Sequence, residues 1–267
     1  MELKQREFAP VPAPPFALIA DLHANLEATE AVIADIDRQG IKEIVCLGDI
    51  VGYGPDPDKV VDLVRAKVKT VIAGNHDWAV INKAMGFNHA ARDVIEYTRD
   101  MMEPKFYQLF GKTRERWQFL ESLPDLIEEN GLQFVHGSLR ERLMEYTFGD
   151  RHRLYNPGQL DDLFTRVQKI CFYGHTHFPV IIRDDKVCWY PFDPDAAFTP
   201  DPARKYMCNV GSVGQPRDGD PRSCYAIYDG RTISYRRVVY DVETTRQKIL
   251  AIDAMEHYLA DRLRTGK

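Results

Sequence analysis

An α/β fold is predicted for this chain, and three observations predict it. Short apolar runs alternate with amphipathic stretches from Phe16 onward, the first three runs stand in a βαβαβ order, and five runs break off into polar, metal-ligating residues. Strands joined through helices run parallel with right-handed crossovers, so a largely parallel sheet is expected. The 267 residues are enough for one large core. Charged residues at 28% beside 44% hydrophobic ones exclude a disordered chain. No run approaches the roughly 18 apolar residues of a spanning helix, so no membrane association is expected.

Residues 1–15 read as a Pro-rich arm (Pro10, Pro12, Pro14, Pro15) without the apolar core of a signal peptide, and 16–267 as a single domain. FALIA (16–20) is a buried strand. The helix after it carries Leu26, Thr29, Val32, Ile33 and Ile36 at helical spacing and stops at Gly40. EIVCL (43–47) is the second strand. Asp56 is placed to cap the next helix, with Pro57 in its first turn and Val60, Val64 and Val68 as its apolar stripe. TVIA (70–73) is the third strand. Residues 78–122 are mostly helical, with breaks near Gly86 and Gly111. LQFV (132–135) and ICFY (170–173) return as strands, and VIIRDDKVCWY reads as a hairpin turning at Asp184-Asp185. KYMCNV, SCYAIYD and TISYRRVVY are strands, 191–202 is a Pro/Asp-rich connection, and a helix near 241–264 closes the chain.

Chemistry gathers just past the strands. FALIA runs into Asp21-Leu22-His23, EIVCL into Gly48-Asp49, and TVIA into Gly74-Asn75-His76-Asp77. LQFV runs into His136-Gly137, and ICFY into Gly174-His175-Thr176-His177. In open α/β sheets the site lies off the carboxyl ends of the strands, where all five clusters can meet. A single histidine after a strand is most often a hydrogen-bonded core residue. Five of the eight histidines in such turns point instead to one site.

Carboxylate, imidazole and amide donors suit borderline divalent metals, and the lack of cysteine argues against structural zinc. Cys46, Cys171, Cys188, Cys208 and Cys224 are odd in number, widely spaced and without a C-x-x-C pair, which reads as reduced thiols in a cytoplasmic protein. Seven candidate ligands (Asp21, His23, Asp49, Asn75, His136, His175, His177) exceed what one tetrahedral ion takes. Two ions sharing a carboxylate would use them, clamping a phosphoryl group and supplying hydroxide at neutral pH.

D-x-H, G-D, G-N-H-D, a lone H-G and G-H-T-H, in this order from Phe16 to about Tyr240, resemble the calcineurin-like metallophosphoesterase superfamily. The resemblance implies a four-layer αββα sandwich of two mixed sheets with a binuclear centre at the C-terminal ends of the strands. One metal would take Asp21, His23, Asp49 and His177, and the other Asp49, Asn75, His136 and His175. His76 would reach the phosphate and protonate the leaving oxygen, and Asp77 would hold its imidazole in the right tautomer. The metals implied are Mn²⁺ or Fe²⁺ first, with Zn²⁺, Co²⁺ or Ni²⁺ also compatible. GDIVGYGP lacks the Asp-Arg pair of eukaryotic-type Ser/Thr protein phosphatases, and HGSLR and NVGSVGQPRDGDPR look like small bacterial and archaeal members. Some of those are phosphatases or phosphodiesterases and some cleave dinucleoside polyphosphates. Leu139 stands where that branch commonly has proline.

Arg140 and Arg217 are candidate phosphate contacts, since a guanidinium fork suits phosphate oxygens. Residues 139–158 combine Arg140, Arg142, Arg151 and Arg153 with Tyr146 and Tyr155, a mixture able to stack a base and hold a polyphosphate; a solvated basic connector is the plainer alternative. Asn209 and Ser212 are further candidates to line the site. A phosphorylated small molecule or nucleotide is the expected substrate, and a homo-oligomer is left open. The net charge of -5 argues against nucleic-acid binding and a nuclease. The fold also serves as a non-catalytic scaffold, and here the full ligand set with His76 favours an enzyme.

Overall fold

A computed structural model describes residues 11–84, 86–108, 110–193 and 195–267. The elements run β1 (Phe16–Ile19), α1 (Leu26–Arg38), β2 (Glu43–Cys46), α2 (Pro57–Lys67), β3 (Thr70–Val71), α3 (Asn75–Ile81), α4 (His89–Met102) and α5 (Lys112–Glu121). They continue through β4 (Leu126–Glu129), β5 (Leu132–Val135), α6 (Pro157–Arg166), β6 (Ile170–Tyr173), β7 (Val180–Arg183), β8 (Cys188–Trp189), β9 (Ala197–Phe198) and β10 (Tyr206–Asn209). Last come β11 (Ser223–Tyr228), β12 (Ile233–Val238), α7 (Val242–Leu250) and α8 (His257–Asp261), followed by a 3₁₀ turn at Arg262–Arg264. Among the described residues no helix is long and apolar enough to cross a membrane. Most of the Pro-rich arm lies outside the described residues. At its end, the Val11 N–H donates to Glu129 Oε2 at 2.8 Å.

The strands form two six-stranded sheets, ordered β3-β2-β1-β11-β12-β9 and β4-β5-β6-β10-β7-β8. The expected largely parallel sheet is corrected here. β1, β2 and β3 are parallel, as are β5, β6 and β10, while the remaining pairs are antiparallel. The helix crossovers that enforce parallel pairing cover only part of the chain, and β11 and β12 return as a hairpin.

The central strands β1, β2, β5, β6 and β10 are buried on nearly every position, which explains why they read as unbroken apolar runs. Phe16 and Leu18 point between the sheets, meeting Phe134, Phe172 and Cys208 of the second sheet. Ala17 and Ile19 point the other way, onto Val32 and Ile36 of α1 and Val60 and Val64 of α2. On the far side, Val135, Cys171 and Met207 pack on Leu160, Leu163 and Phe164 of α6. The result is the four-layer αββα sandwich. All five cysteines lie on strands and are free.

Asn25, Asn88, Asn156 and Asp241 cap α1, α4, α6 and α7 with their side chains. Asp56 does not cap α2 as expected. It takes the N-cap position, but its carboxylate accepts from Lys59 and Lys248 instead. The helix expected over 241–264 breaks at 251–256 into α7 and α8. Residues 249 and 255 lie on different sides of an unbroken helix, and the bend brings Ile249 and Met255 into one cluster with Leu259 and Leu263. β4 and β9 are edge strands without apolar alternation, and periodicity alone does not find them.

Candidate active site

The turns after β1, β2, β3, β5 and β6 meet at one edge of the sandwich. Asp21, His23, Asp49, Asn75, His76, Asp77, His136, His175 and His177 are all buried. The backbone knits the turns together: Asp21 N–H donates to Gly48 O at 3.0 Å, His23 N–H to Asp49 O at 2.9 Å, and Gly174 N–H to His136 O at 3.0 Å. Carboxylates tie them further. His76 N–H donates to Asp49 Oδ1 at 2.8 Å, and His175 N–H to both oxygens of Asp21 at 3.1 Å.

Five of these residues are left-handed: Asp21, His23, Asp49, His175 and His177 have φ between 47° and 66°. Such backbone costs about 1–3 kcal/mol per residue and persists only where the surroundings over-determine it. These residues lie in three of the five ligand-bearing turns, those after β1, β2 and β6, so strain and chemistry coincide there.

Ring nitrogens are aimed by carbonyl groups. His23 Nδ1 faces Val51 O at 3.2 Å, His136 Nδ1 faces Leu47 O at 2.8 Å, and His177 Nδ1 faces Gln215 O. Each ring therefore directs Nε2 inward. His175 is reversed, its Nε2 on Met144 O at 3.2 Å. Within the cluster, Asp49 Oδ2 lies 3.6 Å from His23 Nε2 and 3.3 Å from His136 Nε2. His177 Nε2 lies 3.5 Å from Asp21 Oδ1, and His136 Nε2 lies 2.9 Å from Asn75 Oδ1. Ligand atoms of Asp21, His23 and His177 lie within 4.8 Å of one another, as do those of Asp49, His136 and His175.

This donor set fits cations. Burial holds His23 and His177 well below their usual range, so both rings are neutral. A neutral ring has one proton, and a carbonyl facing Nδ1 takes it. His23 Nε2 and His177 Nε2 are then two acceptors only 3.1 Å apart, an arrangement that a shared cation relieves. Carboxyl groups tell the same story. Burial raises Asp21 to about 7, and burial with the Asp49 charge raises Asp77 to about 7. Burial also acts on Asp49, but the His136 and His76 charges outweigh it and hold Asp49 low. His136 rises to about 9 against burial because Asp49 pairs with it. Burial takes His76 down to about 4, and burial with the His136 charge takes His175 to about 3. Three buried carboxyl groups thus share one cationic ring.

The expected link between Asp77 and His76 is absent. Asp77 Oδ1 accepts from Ile50 N–H and Val51 N–H at 2.9 and 3.1 Å, and Oδ2 from Gly74 N–H at 2.9 Å. Its oxygens are taken by backbone amides, so Asp77 anchors loops. His76 Nδ1 is buried with no hydrogen-bond partner. Packing orients the ring instead, against Tyr53, His23 and Phe87 at 4.5, 5.0 and 5.0 Å between centroids.

Among the other candidates, Arg217 reaches the site: its charge is felt at Asp21, His23 and His177. Arg140 does not; it is ion-paired with Glu145. Arg142 pairs with Asp125, and Arg151 lies over Tyr190 and Phe192. Tyr155 packs with the α6 layer, as does Leu139. Tyr146 is at the site, its ring stacked on His175 at 4.0 Å and near-parallel to Phe148 at 5.7 Å. Asn209 donates to Gly174 O and Thr176 Oγ1, and Ser212 to Asp21 O, so both brace the turns from behind. Tyr53 was not singled out by sequence. Its only signal was its place between Gly52 and Gly54, two positions where an added Cβ would collide with His76 or His23.

A family model described as the calcineurin-like phosphoesterase superfamily domain matches residues 15–232. An uncharacterized protein of Methanocaldococcus jannaschii is 35% identical over 260 residues, 94% of this chain and 98% of that protein. The phosphodiesterase YfcE of Escherichia coli is 25% identical over 225 residues, 80% of this chain and 87% of its own. A metallophosphoesterase structure from Sphaerobacter thermophilus matches with a TM-score of 0.79 at 34% identity, covering 96% of this chain and 100% of that one.

Proposed function

The chain belongs to the calcineurin-like phosphoesterase superfamily, and from that premise we propose that it hydrolyses phosphate esters of small molecules or nucleotides at two divalent metal ions. The observation that carries the reading is the close approach of two imidazole nitrogens, His23 Nε2 and His177 Nε2, 3.1 Å apart, with the Asp49 carboxylate 3.6 Å from the first. Asp21, His23, Asp49 and His177 would hold one ion, and Asp49, Asn75, His136 and His175 the other. Mn²⁺ or Fe²⁺ suits this mixture of carboxylate, amide and imidazole. Bound ions supply Lewis acidity and positive charge toward a phosphoryl group.

The protein's own residues do the rest. Met144 O, Leu47 O, Val51 O and Gln215 O keep the four rings aimed. His76, needed by neither ion, protonates the leaving oxygen; an anionic phosphoryl group beside it raises its pKa from about 4. Asp77 holds the Ile50–Val51 turn under the ring.

The test is metal removal. Chelated protein should show no turnover of p-nitrophenyl phosphate or bis(p-nitrophenyl) phosphate, and Mn²⁺ should restore one or both. Because His136 keeps its proton up to about 9 in the metal-free protein, Mn²⁺ loading at pH 8 should release protons and tighten as pH rises toward 9. Turnover that survives chelation would refute the reading.

Gly52 supplies a second test. A Cβ on Gly52, at φ +92°, would lie 2.3 Å from His76 Nδ1, so Gly52→Ala must displace the ring. A displacement near 1 Å can cost about 10²-fold in rate, and kcat should fall by that order while the metal content, by elemental analysis, stays. An unchanged kcat would mean the ring's position is immaterial.

A further inference from the structure

We propose that Tyr146 is a positioning residue for His175, and that its ring sets how tightly the ion assigned to Asp49, Asn75, His136 and His175 is held. The inference rests on the two-ion reading above and adds to it an asymmetry between the ions.

His175 is aimed differently from the other ligand rings. Its Nε2 faces Met144 O at 3.2 Å, which leaves Nδ1 for an ion, whereas His23, His136 and His177 have Nδ1 on a carbonyl. Met144 lies in the connection between β5 and α6, residues 136–156, which holds neither helix nor strand. Hydrogen-bond angles at a carbonyl oxygen are broad, so this one bond lets the imidazole tilt. An ion on Nδ1 must sit along the nitrogen lone pair, in the plane of the ring, and a tilted ring misplaces it.

Tyr146 supplies the missing restraint. Its ring stacks on His175 with centroids 4.0 Å apart and planes 20° apart, which fixes the plane of the imidazole. Tyr146 is 47% exposed and the His175 it stacks on is 4% exposed. The restraint is itself anchored. Tyr146 O accepts from Gln159 Nε2 of α6 at 2.9 Å, and Thr147 O accepts from the Tyr173 hydroxyl at 3.1 Å. Tyr173 ends β6, the strand that delivers His175, so ligand and stacking ring share one support. Phe148 lies near-parallel to Tyr146 at 5.7 Å and stacks on His152 at 3.9 Å. Among the described residues the Tyr146 hydroxyl makes no hydrogen bond, so the flat ring carries the role. His23 and His177 pack on each other, and His23 on Tyr53 and His76, so the other ion's ligands do not depend on Tyr146.

Calorimetric titration of the chelator-stripped full chain with Mn²⁺ tests this. The wild type should take up two ions. Tyr146→Leu, which keeps apolar bulk without a flat face, should bind one ion as before and the other about 10–100-fold more weakly, the usual effect of losing a group that orients a ligand. Tyr146→Phe keeps the face and should match the wild type for both ions. His175→Asn removes the imidazole on a backbone that asparagine tolerates, and Tyr146→Leu added to it should weaken binding no further. Unchanged binding of both ions by Tyr146→Leu would overturn the role, and so would an equal loss in Tyr146→Phe. Weakening of both ions alike with a lowered melting temperature would also overturn it, since that marks a structural role. Each of these results leaves the hydrolase reading standing. No turnover of any phosphate ester beside the expected Tyr146 pattern would overturn the hydrolase reading alone. A wild type that takes up a single ion would overturn the two-ion reading and the positioning role with it.

Discussion

Replacing Asp49 should cost the protein both metal ions and reduce turnover to background. Its carboxylate contacts both halves of the cluster, 3.6 Å from His23 Nε2 and 3.3 Å from His136 Nε2. It also accepts the His76 N–H, so its loss loosens the start of α3. Alanine is an imperfect probe, because position 49 has φ +52° and a left-handed alanine costs about 1–2 kcal/mol. Asparagine tolerates that backbone and can keep the His76 hydrogen bond while removing the charge. Asp49→Asn should therefore fold, melt near the wild type, and bind markedly less Mn²⁺ at both positions by elemental analysis. His23→Ala, which touches one half of the cluster, should retain close to one ion. Wild-type protein that takes up a single ion after Mn²⁺ loading would end the binuclear assignment.

His76→Asn should keep both ions and lose the chemistry. The loss should lie near 10²–10⁴ in kcat, the usual worth of a general acid. That range corresponds to about 3–5 kcal/mol of transition-state stabilisation. The ring makes no side-chain hydrogen bond through Nδ1, and its contacts are the faces and edges of Tyr53, His23 and Phe87. Its removal thus leaves the neighbouring ligands' carbonyl partners in place. The defect should shrink as the leaving group becomes more acidic, because an acidic phenolate departs without a proton. A plot of log kcat against leaving-group pKa should be steeper for the mutant. Parallel plots, or full activity on a poor leaving group, would remove His76 from the role of acid.

Much of the site was legible because strand ends are read locally. FALIA, EIVCL, LQFV and ICFY are unmistakable buried strands, and whatever follows such a strand emerges at the sheet edge. Asp21, Asp49, His136, His175 and His177 needed no further information to be brought together. The aromatic and basic segment 139–158 was less legible. Composition does not say which side chain finds a partner, and Glu145 claims Arg140 while Tyr146 stacks on His175.

The kinds of donor, their order and the strands that deliver them are written into the residues locally. Those depend on residue type and on periodicity over a few positions. Tertiary structure alone decided which nitrogen of each ring faces inward, that Asp77 serves backbone amides, and that Tyr53 and Arg217 border the cluster. The physical reason is that a hydrogen-bond partner is chosen by what lies within about 3 Å, irrespective of distance along the chain. His136 is aimed by the carbonyl of Leu47, 89 residues away, and His177 by that of Gln215, 38 residues away. Only the packing of two sheets brings those carbonyls to the rings.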